Sequence, residues 1–503
     1  MAASTVASLV ESLEGSEDRL DCLEQLKTLL SSVPPAELRN IVPNISILPV
    51  FACLNTDDKA QQEVCCEVLD RLLTALSAGL ILENLYEEFT RWLQDGSDHV
   101  QQLCLSQLVR VSQDTPDLLA RSVDLLVGVA EQLGNESQQI ARTATTVLVN
   151  LGSTAAGLEA VYSGPVFERL QNVMSKSDTV RYRVFQMAVE LSIASPEALE
   201  VSHRSGILVK LVNEIHKDDI LLQLNCLELL VDLAQSNHGL TYLDQQGIVK
   251  KLEEMMATAD SSPFGAYLLP GLLKFFGGLA RFHPKEVLNH FQVFVGMVFA
   301  AVGGEGDASI RGLAIDTIGF IATTPEGKAA LNKQGNMMTE CVKNLGGIIR
   351  NSPSEMRVRA LEAVASLIKL QVSDQTEELQ QITESWFTRL CTNPFDVIWS
   401  IAKQPFTDLR TAALKVLLSL AYLPWGQQLM NNAAGFKEYL LDRAIESTKE
   451  GKEAKFEVVK ALAESPTVTQ IFGNPYYVQL RDFCREGPFF IRAQAEVAFE
   501  EET

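Results

Sequence analysis

The sequence predicts an all-α protein, folded as a right-handed superhelical solenoid of about 11–12 repeats of ~42 residues each. Three observations favour this fold class. Apolar residues recur at three- and four-residue steps, a similar helix returns every 40 residues in part of the chain, and a glycine interrupts the same place in several units. In such a fold each repeat buries its apolar face only against its neighbours.

The 40-residue period is carried by four helices that each follow a polar turn. They are predicted to begin near Val100, Ile140, Val180 and Ile220. Later helices of the same kind are expected near four positions with wider spacing: Ile310, Met356, Leu409 and Ala454. Two segments, 261–271 and 391–406, are predicted to form longer loops or irregular helices.

Each repeat is predicted to hold a short first helix, a glycine break, a second helix, a polar turn and a long third helix. The break falls at Gly164 in residues 155–174 and at Gly247 in residues 237–256. Glycine suits the break because it adopts left-handed dihedrals at little steric cost. This order of helices resembles the armadillo repeat, and VLVNL at 147–151 is similar to the end of that family's third helix.

The expected domain organisation is one continuous array between two different ends. Residues 1–35 are predicted to be N-terminal capping helices, and 36–490 a continuous armadillo/HEAT-like array that is most regular over 95–256. Residues 491–503 are predicted to be an acidic C-terminal tail.

The composition restricts the function classes. The chain carries 64 acidic and 42 basic residues, a formal net charge of -22, which argues against general binding of DNA or RNA. The nine cysteines show no CxxC pattern and fit buried thiols in a reducing compartment. The longest apolar run, Val293–Gly304, is too short to cross a membrane. We therefore expect a cytoplasmic protein, with the nucleus as a second compartment, and no membrane partner.

The sequence shows no pattern of catalytic or cofactor-binding residues. The GK pairs at 327–328 and 451–452 lack the glycine spacing and the hydroxyl residue of a phosphate-binding loop. No GxSxG or HExxH occurs, and the six histidines form no ligand pair on one helical turn. We expect no enzyme activity, no cofactor and no metal.

The candidate partner-binding site is the concave groove that third helices line in armadillo-like stacks. Near the end of each third helix one residue is expected to point into this groove, and Arg181 begins one of these helices. The candidate residues are Arg110, Asn150, Arg181, Glu190 and Asp232. We call the four positions near the ends of the third helices, Arg110, Asn150, Glu190 and Asp232, the ladder positions. Because only one of them is Asn, the pattern argues against importin-like capture of an extended basic peptide.

Two alternatives stay open at this groove. The carboxylates of Glu190 and Asp232 either lie in water, where they contribute little, or dock a folded basic surface. Arg181 either pairs between repeats or contacts a partner.

Several longer strings carry a closer resemblance that covers nearly the full length. VRYRV (180–184), HGLTYLDQQGIV (238–249), YLLPGLLKFFGGLA (267–280), ESWF (384–387) and FGNPYYVQLRDFCREGPFF (472–490) resemble the proteasome base-assembly chaperones of the armadillo/HEAT-like class. The resemblance implies a non-catalytic chaperone for the base of the 19S regulatory particle of the 26S proteasome, monomeric when free, that leaves before the particle is complete.

The same resemblance implies the partners. They are the C-terminal domain of proteasome ATPase regulatory subunit 7, in a module with ATPase regulatory subunit 4 and non-ATPase regulatory subunit 2. It supplies no contact residues, so the candidate residues depend on the groove argument alone. The alternative function is an armadillo-type adaptor or nuclear transport receptor.

Overall fold

A computed structural model describes residues 2–15, 18–217, 219–261, 265–304 and 307–490. Within these ranges the regular structure is helical and no strand occurs. The chain divides into two compact units, 1–246 and 247–503, and each is described by itself. The predicted acidic tail, 491–503, lies outside the described residues.

The helices of the first unit are α1 (Ala2–Ser12), α2 (Arg19–Ser32), α3 (Pro35–Ile41), α4 (Leu48–Ala52), α5 (Lys59–Ala75), α6 (Ala78–Asn84), α7 (Tyr86–Asp95), α8 (Asp98–Asp114), α9 (Pro116–Leu119), α10 (Val123–Glu131), α11 (Gln138–Leu151), α12 (Ala155–Tyr162), α13 (Gly164–Met174), α14 (Asp178–Ala194), α15 (Pro196–Arg204), α16 (Ile207–Glu214), α17 (Ile220–Leu233) and α18 (Asn237–Gln245). Two 3-10 turns accompany them, at Val42–Asn44 and Gln132–Gly134.

The helices of the second unit are α19 (Ile248–Ala257), α20 (Gly265–Phe282), α21 (Pro284–His290), α22 (Gln292–Gly303), α23 (Ala308–Ile321), α24 (Pro325–Asn332), α25 (Asn336–Asn351), α26 (Ser354–Ile368), α27 (Glu377–Arg389), α28 (Pro394–Ala402), α29 (Thr407–Ala421), α30 (Pro424–Asn432), α31 (Phe436–Leu441), α32 (Lys449–Glu464), α33 (Val468–Phe472) and α34 (Asn474–Glu486). Two further 3-10 turns lie at Ala259–Ser261 and Val372–Asp374.

A long helix recurs at every third place in this order. These third helices are α2, α5, α8, α11, α14 and α17 in the first unit and α20, α23, α26, α29 and α32 in the second. Within each unit, consecutive third helices pack side by side. The four helices predicted from the 40-residue period are α8, α11, α14 and α17, each starting at or within two residues of the expected position. The predicted all-α repeat fold is confirmed.

The expectation of loops or irregular helices at 261–271 and 391–406 is wrong for most of these residues. Residues from Gly265 form α20, a full third helix that contains Pro270, and Pro394–Ala402 form α28. Proline removes one helical hydrogen bond, but the burial of Leu272, Phe275 and Phe276 in α20 outweighs that loss.

The predicted glycine breaks between first and second helices adopt the left-handed backbone conformation. Gly164, Gly247, Gly335 and Gly435 have φ values of 57°, 71°, 58° and 82°. A side chain is strained at such values, which explains why glycine recurs there.

A second set of glycines, which the sequence pattern did not reveal, lies where four of the first helices begin: α12, α18, α24 and α30. A Cβ atom at Gly157, Gly239 or Gly327 would lie 1.8–1.9 Å from the carbonyl oxygen of the last residue of the preceding third helix. At Gly426 the corresponding distance, to the carbonyl oxygen of Leu420, is 2.3 Å. These glycines let the first helix pack directly on the end of the third helix.

The residue after this glycine donates hydrogen bonds to the same region in two repeats. The Lys328 amino group is buried and donates to the carbonyl oxygens of Ala322 and Ser366, the latter at 2.6 Å. Gln427 occupies the equivalent position two repeats later, in α30, and donates to the carbonyl oxygen of Ala421 at 2.8 Å. Burial lowers the pKa of Lys328 to about 7.

Adjacent glycines in α25 provide a matched test of this close packing. A Cβ atom at Gly346 would lie 1.8 Å from the Leu390 carbonyl oxygen, whereas one at Gly347 meets nothing within 4 Å. We expect Gly346→Ala to lower the free energy of unfolding by about 1–3 kcal/mol, because the neighbouring helix must move. Gly347→Ala should raise it by about 0.5–1 kcal/mol through helix propensity. Urea unfolding measures both, and equal effects would contradict the packing.

A second prediction concerns the pH dependence that Lys328 confers. Its pKa is about 7 in the fold against 10.5 for a free lysine, so the unfolded chain binds more protons between these values. Stability should therefore rise with pH across this window, by at most about 1.4 kcal/mol per pH unit. Lys328→Gln, which copies Gln427, should lack this rise.

The measurement is the difference in unfolding free energy between wild type and Lys328→Gln at pH 7, 8 and 9. We expect the difference to shift by about 2 kcal/mol in favour of the wild type over this range. A difference that does not change with pH would show that the buried amine is not neutralised by folding.

Candidate partner-binding groove

Arg110, the first ladder residue, holds two third helices together. Its guanidinium donates to the carbonyl oxygens of Leu73 at 2.7 Å and Leu76 at 2.8 Å, at the end of α5. It also donates to the Gln107 side chain at 3.1 Å. Burial lowers the pKa of Arg110. Its donors are thus used mainly inside the protein.

Asn150 occupies the equivalent place on α11 and points toward the preceding third helix. Its amide nitrogen donates to the hydroxyl of Ser112 on α8 at 3.2 Å. The side chain is half-buried. Asn150 therefore joins α11 to α8 through one hydrogen bond.

Arg181 pairs with a buried carboxylate of the neighbouring repeat. Its Nε lies 3.6 Å from Glu214 at the end of α16, and its guanidinium also pairs with Asp178. Lys217 contacts the same Glu214 carboxylate at 2.7 Å. The Glu214 side chain is buried, so the two cations offset the cost of desolvating its charge. Arg181 thus forms an ion pair between repeats.

Glu190 and Asp232 are exposed near the ends of α14 and α17. Glu190 accepts a hydrogen bond from Gln186 at 3.0 Å, and Asp232 accepts one from Gln235 at 2.9 Å. Neither forms an ion pair with a described residue. Partial burial raises the pKa of Asp232. A carboxylate only accepts hydrogen bonds, so it cannot cap helix-end carbonyls as Arg110 does.

A cleft of about 810 Å³ lies between α11 and α14 and includes Glu190. Arg142 is exposed on its α11 side and forms no ion pair with a described residue. Arg183 lies on the α14 side and donates to the carbonyl oxygens of Leu133 and Asn135 at 3.0 and 2.7 Å. The cleft is lined by Glu136, Gln138, Ala141, Arg142, Thr145, Thr146, Thr179, Tyr182, Arg183, Gln186 and Glu190.

Tyr182 lines this cleft and interacts electrostatically with the carboxylates of Glu228 and Asp232 on α17. Burial and the carboxylates of Glu228 and Asp232 raise the pKa of Tyr182. Arg142 and Tyr182 are not among the predicted site residues, because the prediction considers one position near the end of each third helix. Residues spaced three or four apart lie on one face of a helix. This spacing marks the faces of α11 and α14 that line the cleft, from Gln138 to Arg142 and from Thr179 through Arg183 to Glu190.

The third helices of the second unit carry charges that are paired between repeats. Asp316 on α23 pairs with Arg359 on α26, and Glu362 on α26 pairs with Lys415 on α29 at 2.5 Å. The ladder position of α23 is occupied by Phe320, whose ring lies 4.4 Å from the Arg281 guanidinium. On the third helices that border the cleft, Arg142 and Glu190 supply charges of both signs that form no ion pair with a described residue.

The groove offers hydrogen-bonding and charged groups on an open surface. Among the described residues, no group of three or more His, Cys, Asp or Glu side chains converges as metal ligands. No single helix in this part of the chain is long and apolar enough to cross a membrane, and only α21 with α22, bent by 90°, passes that test together. A surface of mixed charge and hydroxyl groups fits another protein surface.

Comparisons with known proteins agree with this fold. The family model described as "Proteasome non-ATPase 26S subunit" matches residues 2–503. The chain is 36% identical to the human and 37% identical to the bovine 26S proteasome non-ATPase regulatory subunit 5, over 99% of each chain. The Drosophila melanogaster protein of that name is 24% identical.

A crystal structure of importin beta is similar in fold. The TM-score is 0.52 at 14% sequence identity, over 91% of this chain and 57% of that one. At this identity the likeness concerns the fold alone, and it supports the armadillo/HEAT-like class.

The Arg181–Glu214 pair gives a stability prediction. Arg181→Met should lower the free energy of unfolding by about 1–3 kcal/mol, because it leaves Glu214 buried with Lys217 as its main partner. Adding Glu214→Gln removes the buried charge and should recover part of the loss. A double-mutant cycle measures the coupling. Additive effects would show that the two side chains do not interact.

Proposed function

The chain belongs to the proteasome non-ATPase 26S subunit family, and on this basis we propose that it is a non-catalytic chaperone for assembly of the base of the 19S regulatory particle. The observation that carries the proposal is the full-length similarity to regulatory subunits named for the 26S proteasome. The open cleft between α11 and α14, with its unpaired charges, supports a binding role rather than catalysis.

The proposed partner is the C-terminal domain of proteasome ATPase regulatory subunit 7. It is bound in a module with ATPase regulatory subunit 4 and non-ATPase regulatory subunit 2. Glu190 and Asp232 support docking of a basic surface, because they are exposed and unpaired with any described cation. The attraction between opposite charges across an interface becomes stronger as water is excluded from it.

The proposed chaperone leaves before the particle is complete. A stack of packed helices covering an ATPase domain blocks other surfaces from that domain. Release then requires a competing surface or a nucleotide-driven change in the ATPase, since a ligand shifts an equilibrium only by its differential affinity. The cytoplasm, with the nucleus as a second site, is the proposed compartment.

The alternative, an armadillo-type adaptor or nuclear transport receptor, finds less support in the groove. Asn150 is the only asparagine among the four ladder residues, and it donates to Ser112. Arg110 uses its guanidinium on helix-end carbonyls. Neither presents the repeated amide groups that would hold an extended peptide backbone.

A charge-reversal variant tests the proposed docking face. Glu190→Lys combined with Asp232→Lys should weaken binding of the recombinant ATPase subunit 7 C-terminal domain by about tenfold or more, because truncating a desolvated charge pair costs about 2–5 kcal/mol. Calorimetric titration gives the affinity. The melting curve should stay unchanged, since both side chains are exposed.

The matched control is Glu168→Lys combined with Asp244→Lys, which makes the same change in charge on the short helices α13 and α18. Both of these residues are exposed. We expect wild-type affinity for this control. Equal losses of affinity in both variants would show that the effect arises from net charge alone. Wild-type affinity in both variants would show that the proposed face does not bind the ATPase domain.

Mass spectrometry of complexes purified with the chain from cells distinguishes the two functions. ATPase modules without mature core particle would support the chaperone, whereas nuclear cargo would favour the transport receptor.

A further inference from the structure

The guanidinium of Arg281, at the end of α20, lies against two aromatic rings. It is 4.4 Å from the ring centre of Phe320 on α23 and 5.6 Å from that of Phe282. The Arg281 side chain forms no hydrogen bond or ion pair with a described residue. An aromatic face attracts a cation, but the N–H groups at the edge of the guanidinium stay free to donate.

Both rings beside this cation reach the surface. Phe282 is 42% exposed and Phe320 is 38% exposed. Single exposed apolar side chains are common in proteins, but two exposed rings that flank one cation form a patch. Arginine and aromatic side chains are enriched at protein interfaces. We call Arg281, Phe282 and Phe320 the arginine–phenylalanine patch.

A close approach of α20 and α23 fixes this patch. A Cβ atom at Gly277, one turn before Arg281, would lie 3.0 Å from the Cγ2 atom of Thr317 on α23. The Thr317 hydroxyl in turn donates to the Leu313 carbonyl oxygen at 2.8 Å, which holds that side chain in place. The two helices pack side by side, so Arg281 is already positioned over Phe320 before any partner binds.

A second cation lies on the same face of α20. Lys274 is exposed two turns before Arg281 and forms no ion pair with a described residue. The α20 helix contains no acidic residue. On α23, the carboxylate of Asp316, one turn before Phe320, pairs with Arg359 of α26. The two cations of α20 are therefore left for an external carboxylate.

The spacing of Lys274 and Arg281 indicates the kind of partner. Seven residues are nearly two helical turns, so the two side chains lie on one face of α20, about 10.5 Å apart along its axis. A helix that lies along α20 repeats its own side chains at the same interval. Side chains on one face of an extended strand repeat at about 6.7 Å, which does not match. A polyphosphate backbone is disfavoured by the net charge of -22.

We propose that Lys274 and the arginine–phenylalanine patch bind an acidic helix of a partner protein. One carboxylate of that helix accepts two hydrogen bonds from Arg281, and a second carboxylate, seven residues away, pairs with Lys274. An apolar side chain on the same face of the partner helix packs against the exposed ring of Phe320. Arg281 contributes more than Lys274, because the rings already hold its planar guanidinium in place. This surface attracts the opposite charge from that attracted by Glu190 and Asp232, and the proposal does not depend on the proposed function.

Fluorescence anisotropy with a synthetic helix tests this proposal on the full chain. The probe is a labelled alanine-based peptide of about 16 residues, long enough to form a helix in water, with two glutamates seven residues apart and a leucine between them on the same face. Arg281→Gln should raise the Kd of this peptide about tenfold, because a hydrogen-bonded charge pair is lost. Lys274→Gln should raise it by about threefold, as expected for a more exposed pair. The same peptide with glutamine in place of both glutamates should bind wild type and Arg281→Gln equally weakly.

Lys333→Gln is the matched control, because Lys333 is exposed at the end of α24 and the substitution makes the same change in charge. It should leave the Kd unchanged, and Arg281→Gln should keep the wild-type melting curve. Three results would overturn the proposal. The first is no preference of the wild type for the glutamate peptide, and the second is an equal loss of affinity in the control. The third is a dimer of the wild type in sedimentation velocity that Arg281→Gln abolishes, which would assign the patch to a second copy of the chain.

Discussion

The carbonyl groups at the ends of the third helices are the constraint on which this structure depends. The last turn of a helix leaves carbonyl oxygens without intrahelical partners, and burying them unpaired is costly. Here neighbouring repeats supply the donors. Arg110 reaches the end of α5, His238 lies 2.9 Å from the Ser192 carbonyl oxygen, and Lys328 and Gln427 do the same for α23 and α29. Glycines at the start of first helices allow the close approach that this pairing needs.

Because of this constraint, some polar side chains on the third-helix face are used in packing between repeats, and others stay exposed. Arginine, asparagine and lysine can donate to carbonyl oxygens and are drawn into the packing. Glutamate and aspartate cannot, so Glu190 and Asp232 remain exposed at ladder positions where Arg110 is engaged. In the second unit Phe320 takes that position, and charged side chains on α23 and α26 are paired between repeats. On the third-helix face of the first unit, Arg142, Glu190 and Asp232 form no ion pair with a described residue.

The sequence predicted most of the fold because the forces involved are periodic. The 40-residue spacing placed α8, α11, α14 and α17 to within two residues, and the left-handed glycines followed from steric demands at Gly164 and Gly247. It failed at α20, where Pro270 obscured a buried apolar stripe. It also missed Gly157 and its equivalents, because their need for a missing side chain arises from a contact across two helices.

The candidate site was harder to predict, because a position in a repeat does not reveal its partners. Arg181 and Asn150 belong to the packing between repeats, whereas Arg142 and Tyr182, which were not selected, line the cleft. The most direct test of the whole account is hydrogen exchange of the chain with and without the ATPase subunit 7 C-terminal domain. We expect slower exchange in α14 and α17 on binding. Protection confined to the short helices α13 and α16, with α14 and α17 unchanged, would contradict it.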